Sequence, residues 1–218
     1  MTEKAVVRTA LWLLLAACMV FVACTFIVLD SDAYAVEEYR IVCLGHYETD
    51  GFAEEAEPIE WYVLDETDED MLLLAAKSIE CSEYAGTAGA DWLDSIPCEM
   101  LNSEMFYSMF SEEEISRISR AAEHRDISGM SEVHTPMFLL SKEEVGKYFF
   151  GRGISAETGA ATQVRYRIWD VDDGGCAGWW LRRSDGEMLY VDHTGNLARA
   201  GGVDGLCLGI RPAMWVSK

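Results

Sequence analysis

The chain has 218 residues, half of them apolar, enough to bury one sizeable core and too few for two comfortable ones. Its 38 acidic residues outnumber 17 basic ones and set a formal net charge of −21. A surface of that sign repels phosphate backbones and anionic lipid headgroups, so nucleic acid is not an expected partner, while cations, basic peptides and neutral sugars stay open.

The N-terminal stretch sets the expected compartment. Residues 9–29 form an uncharged run of 21, preceded by Lys4 and Arg8 and followed by Asp30, Ser31 and Asp32. That run is long enough to cross a bilayer. Basic residues before it and acidic ones after it predict a cytoplasmic N-terminus and an exported domain. Lys4, Arg8 and Glu3 sum to +1, so the portion beyond the run carries −22. The division read from this pattern is a cytoplasmic n-region at 1–8, a transmembrane anchor or uncleaved signal at 9–29, a linker at 30–38 and an extracytoplasmic domain at 39–218. Ala33-Tyr34-Ala35 supplies an alternative, secretion after cleavage following Ala35. Leu15-Ala16-Ala17-Cys18 resembles a lipobox, but cleavage there would expose an apolar end where a polar tether is needed.

The domain opens with strand-like segments at 39–44, 59–65 and 71–76, separated by acidic, Gly-containing turns, which predicts an antiparallel start. Leu101, Met105 and Met109 then recur at helical spacing behind Pro97. Ser111 to Glu114 makes a capping box ahead of Ile115, Ile118 and Ala122, so two amphipathic helices fit here. A short apolar strand at 138–140 precedes a second capping box, Ser141-Lys142-Glu143-Glu144, leading into Val145, Tyr148 and Phe149. From 151 to 175 the pattern dissolves into a long Gly-, Ala-, Thr- and Asp-rich loop, a type of segment that often carries function. Strands at 179–182 and 188–191, a turn at Thr194-Gly195-Asn196, and strands around Ala198 and 206–210 read as a C-terminal antiparallel meander. Trp61 and Trp215 are expected in the core.

Several chemistries fail on spacing. Beyond the apolar run lie five cysteines, Cys43, Cys81, Cys98, Cys176 and Cys207, with no C-x-x-C, so a zinc ribbon or thioredoxin-like motif is excluded and buried thiols are the default. His46, His124, His134 and His193 lack H-E-x-x-H spacing, and no Ser occupies a G-x-S-x-G elbow. Asp170-Val171-Asp172-Asp173 starts like a calcium loop, but Leu181 stands where a bidentate Glu is required. Gly151-Arg152-Gly153-Ile154-Ser155-Ala156 copies half of a dinucleotide fingerprint without a βαβ unit around it. No metal or cofactor is expected.

Gly178-Trp179-Trp180-Leu181-Arg182, Gly209-Ile210-Arg211-Pro212-Ala213-Met214-Trp215-Val216, Glu57-Pro58-Ile59-Glu60-Trp61-Tyr62-Val63-Leu64 and Phe138-Leu139-Leu140-Ser141-Lys142-Glu143-Glu144 together resemble a bacterial domain family of unknown function, DUF6273. The resemblance runs through nearly all of 39–217 in the family's order, including Gly45-His46-Tyr47, Trp92, Ser95, Leu101-Asn102, Phe106 and Phe110. Pro97-Cys98 and Met100 depart from it. The family in turn looks like the formylglycine-generating-enzyme superfamily, whose C-type-lectin-like fold also ends in a Trp-containing strand and a Gly-x-Arg strand. That likeness implies an α+β, C-type-lectin-like domain with antiparallel sheets and two or three short helices, preceded here by one transmembrane helix. It also raises an alternative function, a metal-dependent oxidase using Cys176 and Cys207. Calcium-lectin motifs are absent, since Glu57-Pro58-Ile59 and Trp169-Asp170-Val171 only echo them.

The candidate ligand site is the polar and aromatic content of the late loop and meander: Trp169, Asp172, Trp180, Arg182, Asp192 and His193. Adjacent strand residues face opposite ways, so one of Trp179 and Trp180 is expected in the core and the other is free to stack on a ligand. Arg182 and Arg211 are expected to pair with acidic side chains. The function read from the chain is a membrane-tethered, extracytoplasmic, non-catalytic domain binding a glycan or peptide, with a structural envelope component as a further alternative.

Overall fold

The computed structural model describes residues 39–47, 56–85, 91–125, 135–152, 178–183, 187–201 and 206–218. The chain clusters into two compact units, Met1–Glu37 and Glu38–Lys218, and every described residue belongs to the second. The expected transmembrane segment therefore lies outside the described residues. Among those residues no helix is long and apolar enough to cross a membrane.

In chain order the elements are strands β1 (Ile41–Tyr47), β2 (Glu57–Glu66), β3 (Asp70–Ala75) and β4 (Glu80–Ser82), helices α1 (Ile96–Leu101), α2 (Glu104–Met109) and α3 (Glu112–His124), strand β5 (Met137–Phe138), helix α4 (Lys142–Tyr148), and strands β6 (Trp179–Trp180), β7 (Leu189–Val191), β8 (Leu197–Arg199), β9 (Leu208–Ile210) and β10 (Ala213–Ser217). They form a mixed α+β domain. One sheet runs β1-β2-β3-β10-β5 and the other β4-β9-β6-β7-β8.

The antiparallel start appears as expected, with two irregularities that the alternation of the sequence foreshadows. In β2, Ile59 and Trp61 are buried and then Leu64 is, out of phase. A register shift between Val63 and Asp65 inserts one residue and turns Leu64 inward. In β1 the shift falls between Cys43 and His46 and contains Gly45 at φ +68°. A Cβ at Gly45 would sit 2.6 Å from the Phe110 ring, so the position admits only glycine. The backbone groups freed by this bulge are recovered. Trp61 Nε1 donates to Leu44 O at 2.8 Å, and Gly45 N donates to Glu114 Oε1 at 3.0 Å. Glu114 is also the reciprocal partner of Ser111 in the capping box that starts α3, so one carboxylate serves a helix end and a strand bulge.

The helix expected through Leu101, Met105 and Met109 is divided into α1 and α2 at Asn102-Ser103. The cause is the Asn102 amide, a group that competes well with helical backbone bonds. Its Nδ2 donates to Cys98 O and to Met137 O, each at 3.0 Å, and its Oδ1 accepts from Met137 N at 3.0 Å. Asn102 thus acts as a one-residue strand along the outer edge of β5, whose other side pairs with β10.

The C-terminal meander holds for β6, β7 and β8, which pair antiparallel in sequence. It does not continue through β9. That strand crosses to the far side of β6, where it runs parallel through Trp179 and Gly209, and pairs antiparallel with β4. β10 then leaves for the first sheet.

The chain steps directly from one sheet to the other after β3 and again after β9, and these two crossovers run side by side. Ala75 N donates to Pro212 O and Ile79 N to Ile210 O, each at 2.9 Å. Between them lies Arg211, completely buried. Its Nε donates to Ala75 O at 2.8 Å and its Nη2 to Ala76 O at 3.1 Å. The guanidinium carbon stands 5.1 Å from the Trp179 ring centroid and 5.5 Å from that of Tyr62. Burial lowers the Arg211 pKa to about 10, with Tyr62 and Tyr39 acting in the opposite sense, so the group stays charged at neutral pH.

A second lock joins α3 to the first sheet. Asp70, fully buried, accepts from Arg125 Nε at 2.8 Å and Nη2 at 2.6 Å, contacts His124 Nε2 at 2.9 Å, and accepts from Ser217 Oγ at 3.0 Å. Arg125 also lies 4.4 Å over the Trp215 ring. Trp215 is half-buried beneath it rather than a full core residue like Trp61. Burial tends to raise the Asp70 pKa and is outweighed by hydrogen bonds from His124, Arg125 and Ser217, which hold the carboxyl below its ordinary value.

Two outcomes follow. Arg211→Lys replaces a fork reaching two carbonyls by a single ammonium and should lower unfolding stability in urea by about 2–3 kcal/mol. A loss under about 0.5 kcal/mol would show that the crossovers do not depend on the guanidinium. Asp70 has a depressed folded pKa, so its contribution is present above the unfolded value of about 4 and disappears as pH falls through the folded one. Asp70→Asn should therefore be destabilised by about 2–3 kcal/mol at pH 7, and its gap to the unsubstituted chain should narrow on acidification. A gap independent of pH would contradict this assignment.

Candidate functional site

Trp169 and Asp172 lie outside the described residues, as does Cys176. Of the described candidates, Trp180 and Arg182 lie in and just after β6, and Asp192 and His193 follow β7 at the other end of the same strand pair. Trp180 is 1% exposed. Its Nε1 donates to Ser82 O at 2.8 Å, and its ring meets Tyr84 and Tyr190 edge-on at 5.4 and 6.2 Å. The expectation that only one of the adjacent tryptophans is buried is corrected. Trp179 turns toward Phe149 and Arg211 and Trp180 toward Tyr84 and Tyr190. Strand alternation holds, and the sheet is covered on both faces.

Arg182 is buried as well and does pair with an acid as expected. Its Nη2 donates to Glu144 Oε2 at 3.2 Å and its Nη1 to Leu139 O at 3.0 Å. Glu144 completes the second capping box with Ser141, so Arg182 fastens the start of α4 to the strand after β6. Asp192 organises its own turn. Its Oδ1 accepts from Thr194 N at 2.9 Å, Thr194 Oγ1 at 2.6 Å and Asn196 N at 2.9 Å, and Gly195 supplies φ +84°. Burial raises the Asp192 pKa and those hydrogen bonds overcome it, leaving the carboxyl below its ordinary value. His193 beside it is half-buried.

A cleft of about 590 Å³ is bounded by Cys43 and Tyr47 of β1, the first half of β2 from Glu57 to Glu60, and the first crossover from Ala76 to Ile79. Register sets these walls: Cys43 stands opposite Glu60 and Tyr47 opposite Glu57, and Ala76 N donates to Glu60 O at 2.8 Å. Glu57 and Glu60 are exposed, as are Lys77 and Cys43. Behind Tyr47 is a buried carboxylate, since Tyr47 Oη donates to Glu80 Oε2 at 3.0 Å, and Glu80 is 4% exposed. Ser78, in the lining, is fully buried and its hydroxyl has no hydrogen-bond partner among the described residues. The Ser78 side chain fills the place of a Cβ at Gly209, 2.3 Å from where that atom would stand, which explains the glycine of the Gly-x-Arg strand.

A serine nucleophile needs a base within hydrogen-bond reach, and Ser78 has none among the described residues. Carboxylates outnumber the single lysine on the walls, so the cleft complements hydrogen-bond donors and positive charge. Sequence reasoning passed over it because its walls come from three separate segments, and Glu57-Pro58-Ile59 read as an echo of a lectin motif and as the start of a family motif. The unusual pairing of Pro58 with two exposed glutamates on an otherwise core strand was the available signal.

Glu69, Asp70 and His124 present ligand atoms within 4.8 Å of one another. The set does not fit a metal, because the buried Asp70 oxygen that would bind it already holds Arg125 and faces His124.

Neither a curated protein nor a solved structure matches the chain. A family model described as a domain of unknown function, DUF6273, matches residues 68–218. That span starts just before β3, takes in both crossovers with Ser78, Glu80 and Arg211, and leaves β1 and β2 on its N-terminal side. The chain belongs to the DUF6273 family.

Proposed function

We propose that this is a non-catalytic binding domain, held outside the cell by the apolar segment at 9–29, whose cleft takes a positively charged ligand, a basic peptide in particular. The observation that carries the reading is the cleft between β1, β2 and the first crossover. It combines room for several side chains with an excess of carboxylates on its described walls. A peptide rather than a glycan is favoured, because Trp180, the β6 tryptophan that was free to stack on a sugar, is packed inside. The charge of −22 beyond the apolar run adds long-range attraction for basic ligands. A C-type-lectin-like arrangement belongs to the same proposal, supported by the Trp-bearing β6 lying directly beside the Gly-x-Arg strand β9.

The test is calorimetric titration of the full chain in detergent micelles with Lys- and Arg-rich peptides, acidic peptides of equal length, and neutral oligosaccharides. Basic peptides should bind, more weakly as salt rises. Glu60→Gln should reduce affinity about tenfold, equivalent to about 1.4 kcal/mol. Glu57→Gln, at an exposed position of the same wall, should also weaken binding without loss of fold. Saturable binding of a neutral sugar that ignores both substitutions would overturn the proposal, as would no binding of basic peptides.

A further inference from the structure

Cys207 stands immediately before β9 and Cys81 lies in the middle of β4. In the antiparallel β4–β9 pair Cys81 is opposite Gly209 and Ser82 opposite Leu208, which places Cys207 opposite Glu83. Residues two apart on a strand share a face, so Cys81 and Cys207 are diagonal neighbours on one side of the sheet. Diagonal side chains reach each other when nothing stands between them, and the residue directly opposite Cys81 is a glycine. Each thiol lies close enough to shift the other's ionisation. Cys81 is buried and Cys207 half-buried, so one sulfur is shielded and the other is open to a reagent.

We infer that Cys81 and Cys207 form a reversible disulfide that staples the edge strand β4 to β9. Thiol–disulfide exchange with a low-molecular-weight disulfide would make it. The Cys207 thiolate attacks one sulfur of that reagent, expels a thiolate and leaves a mixed disulfide. Cys81 then gives up its proton and its sulfur attacks Cys207 Sγ, expelling the second thiolate. The protein pair loses two electrons and two protons, and the reagent gains them as two thiols. The order follows from exposure and from which thiolate is favoured. Hydrogen bonding from Cys81 lowers the Cys207 pKa against the opposing effects of burial, Glu83 and Glu80. The same contact, with burial, pushes the Cys81 thiol up. Cys81 follows Glu80 and faces Gly209 against Ser78, so the staple would close directly behind the cleft. The inference does not depend on what the cleft binds.

The full chain is reduced, transferred into oxidised glutathione, alkylated and digested for mass spectrometry. A cross-linked pair of peptides carrying Cys81 and Cys207, abolished by reductant, is the expected result. Cys81→Ser should leave Cys207 with persistent glutathione, because the resolving thiol is gone. Cys207→Ser should leave Cys81 unmodified over the same interval. The oxidised chain should unfold at a higher temperature than the reduced one, and Cys81→Ser should abolish the difference. Alkylation of both residues after oxidation, or linkage of Cys207 to Cys176 instead, would overturn the inference.

Discussion

The fold depends on a buried cation. Two stretches of backbone leave one sheet for the other at the same place, and each crossover frees carbonyls from a ladder. In an interior, unpaired carbonyls are costly. Arg211 meets the carbonyls of Ala75 and Ala76 with one planar group, while the aromatic rings of Trp179 and Tyr62 accommodate its charge. The guanidinium is suited to this because it keeps its proton under burial and presents donors in fixed directions. Both sheets are thereby held in one relation, and the cleft at the first crossover inherits its shape from that junction.

Elsewhere the domain connects its elements by giving one polar side chain two tasks. Glu114 closes a helix cap and fills the β1 bulge. Glu144 closes the other cap and anchors Arg182. Asn102 ends one helix and lines the edge of β5. Asp70 gathers Arg125, His124 and Ser217 from the helix end and the last strand. Short elements, several of only two or three residues, have little ladder of their own, and such shared anchors are what orient them.

The cleft is the opposite case, a place where polar groups are present and not fully engaged. Glu57 and Glu60 stand in solvent, Ser78 has no hydrogen-bond partner among the described residues, and Tyr47 covers a buried Glu80. Most polar groups buried elsewhere among the described residues have partners, Trp92 Nε1 being an exception, and it is the exposed carboxylates that set the cleft apart.

Local patterns were legible from the chain. The strands β2 and β3, both capping boxes and the turn at Thr194-Gly195-Asn196 are decided by residues within a few positions of each other, and they form as the sequence predicts. Family membership was legible for a related reason, since ordered short motifs survive in a linear string. The sequence by itself therefore determined an α+β domain of this family and most of its pieces. The tertiary structure alone decided that both tryptophans of β6 are buried, that β9 runs parallel to β6, that Asn102 breaks a helix to serve β5, and that Cys81 meets Cys207. It also formed the cleft at the first crossover from three separate segments. Each of these is set by groups far apart in the chain, and burial and pairing between such groups depend on closing the intervening loops, which no local period encodes.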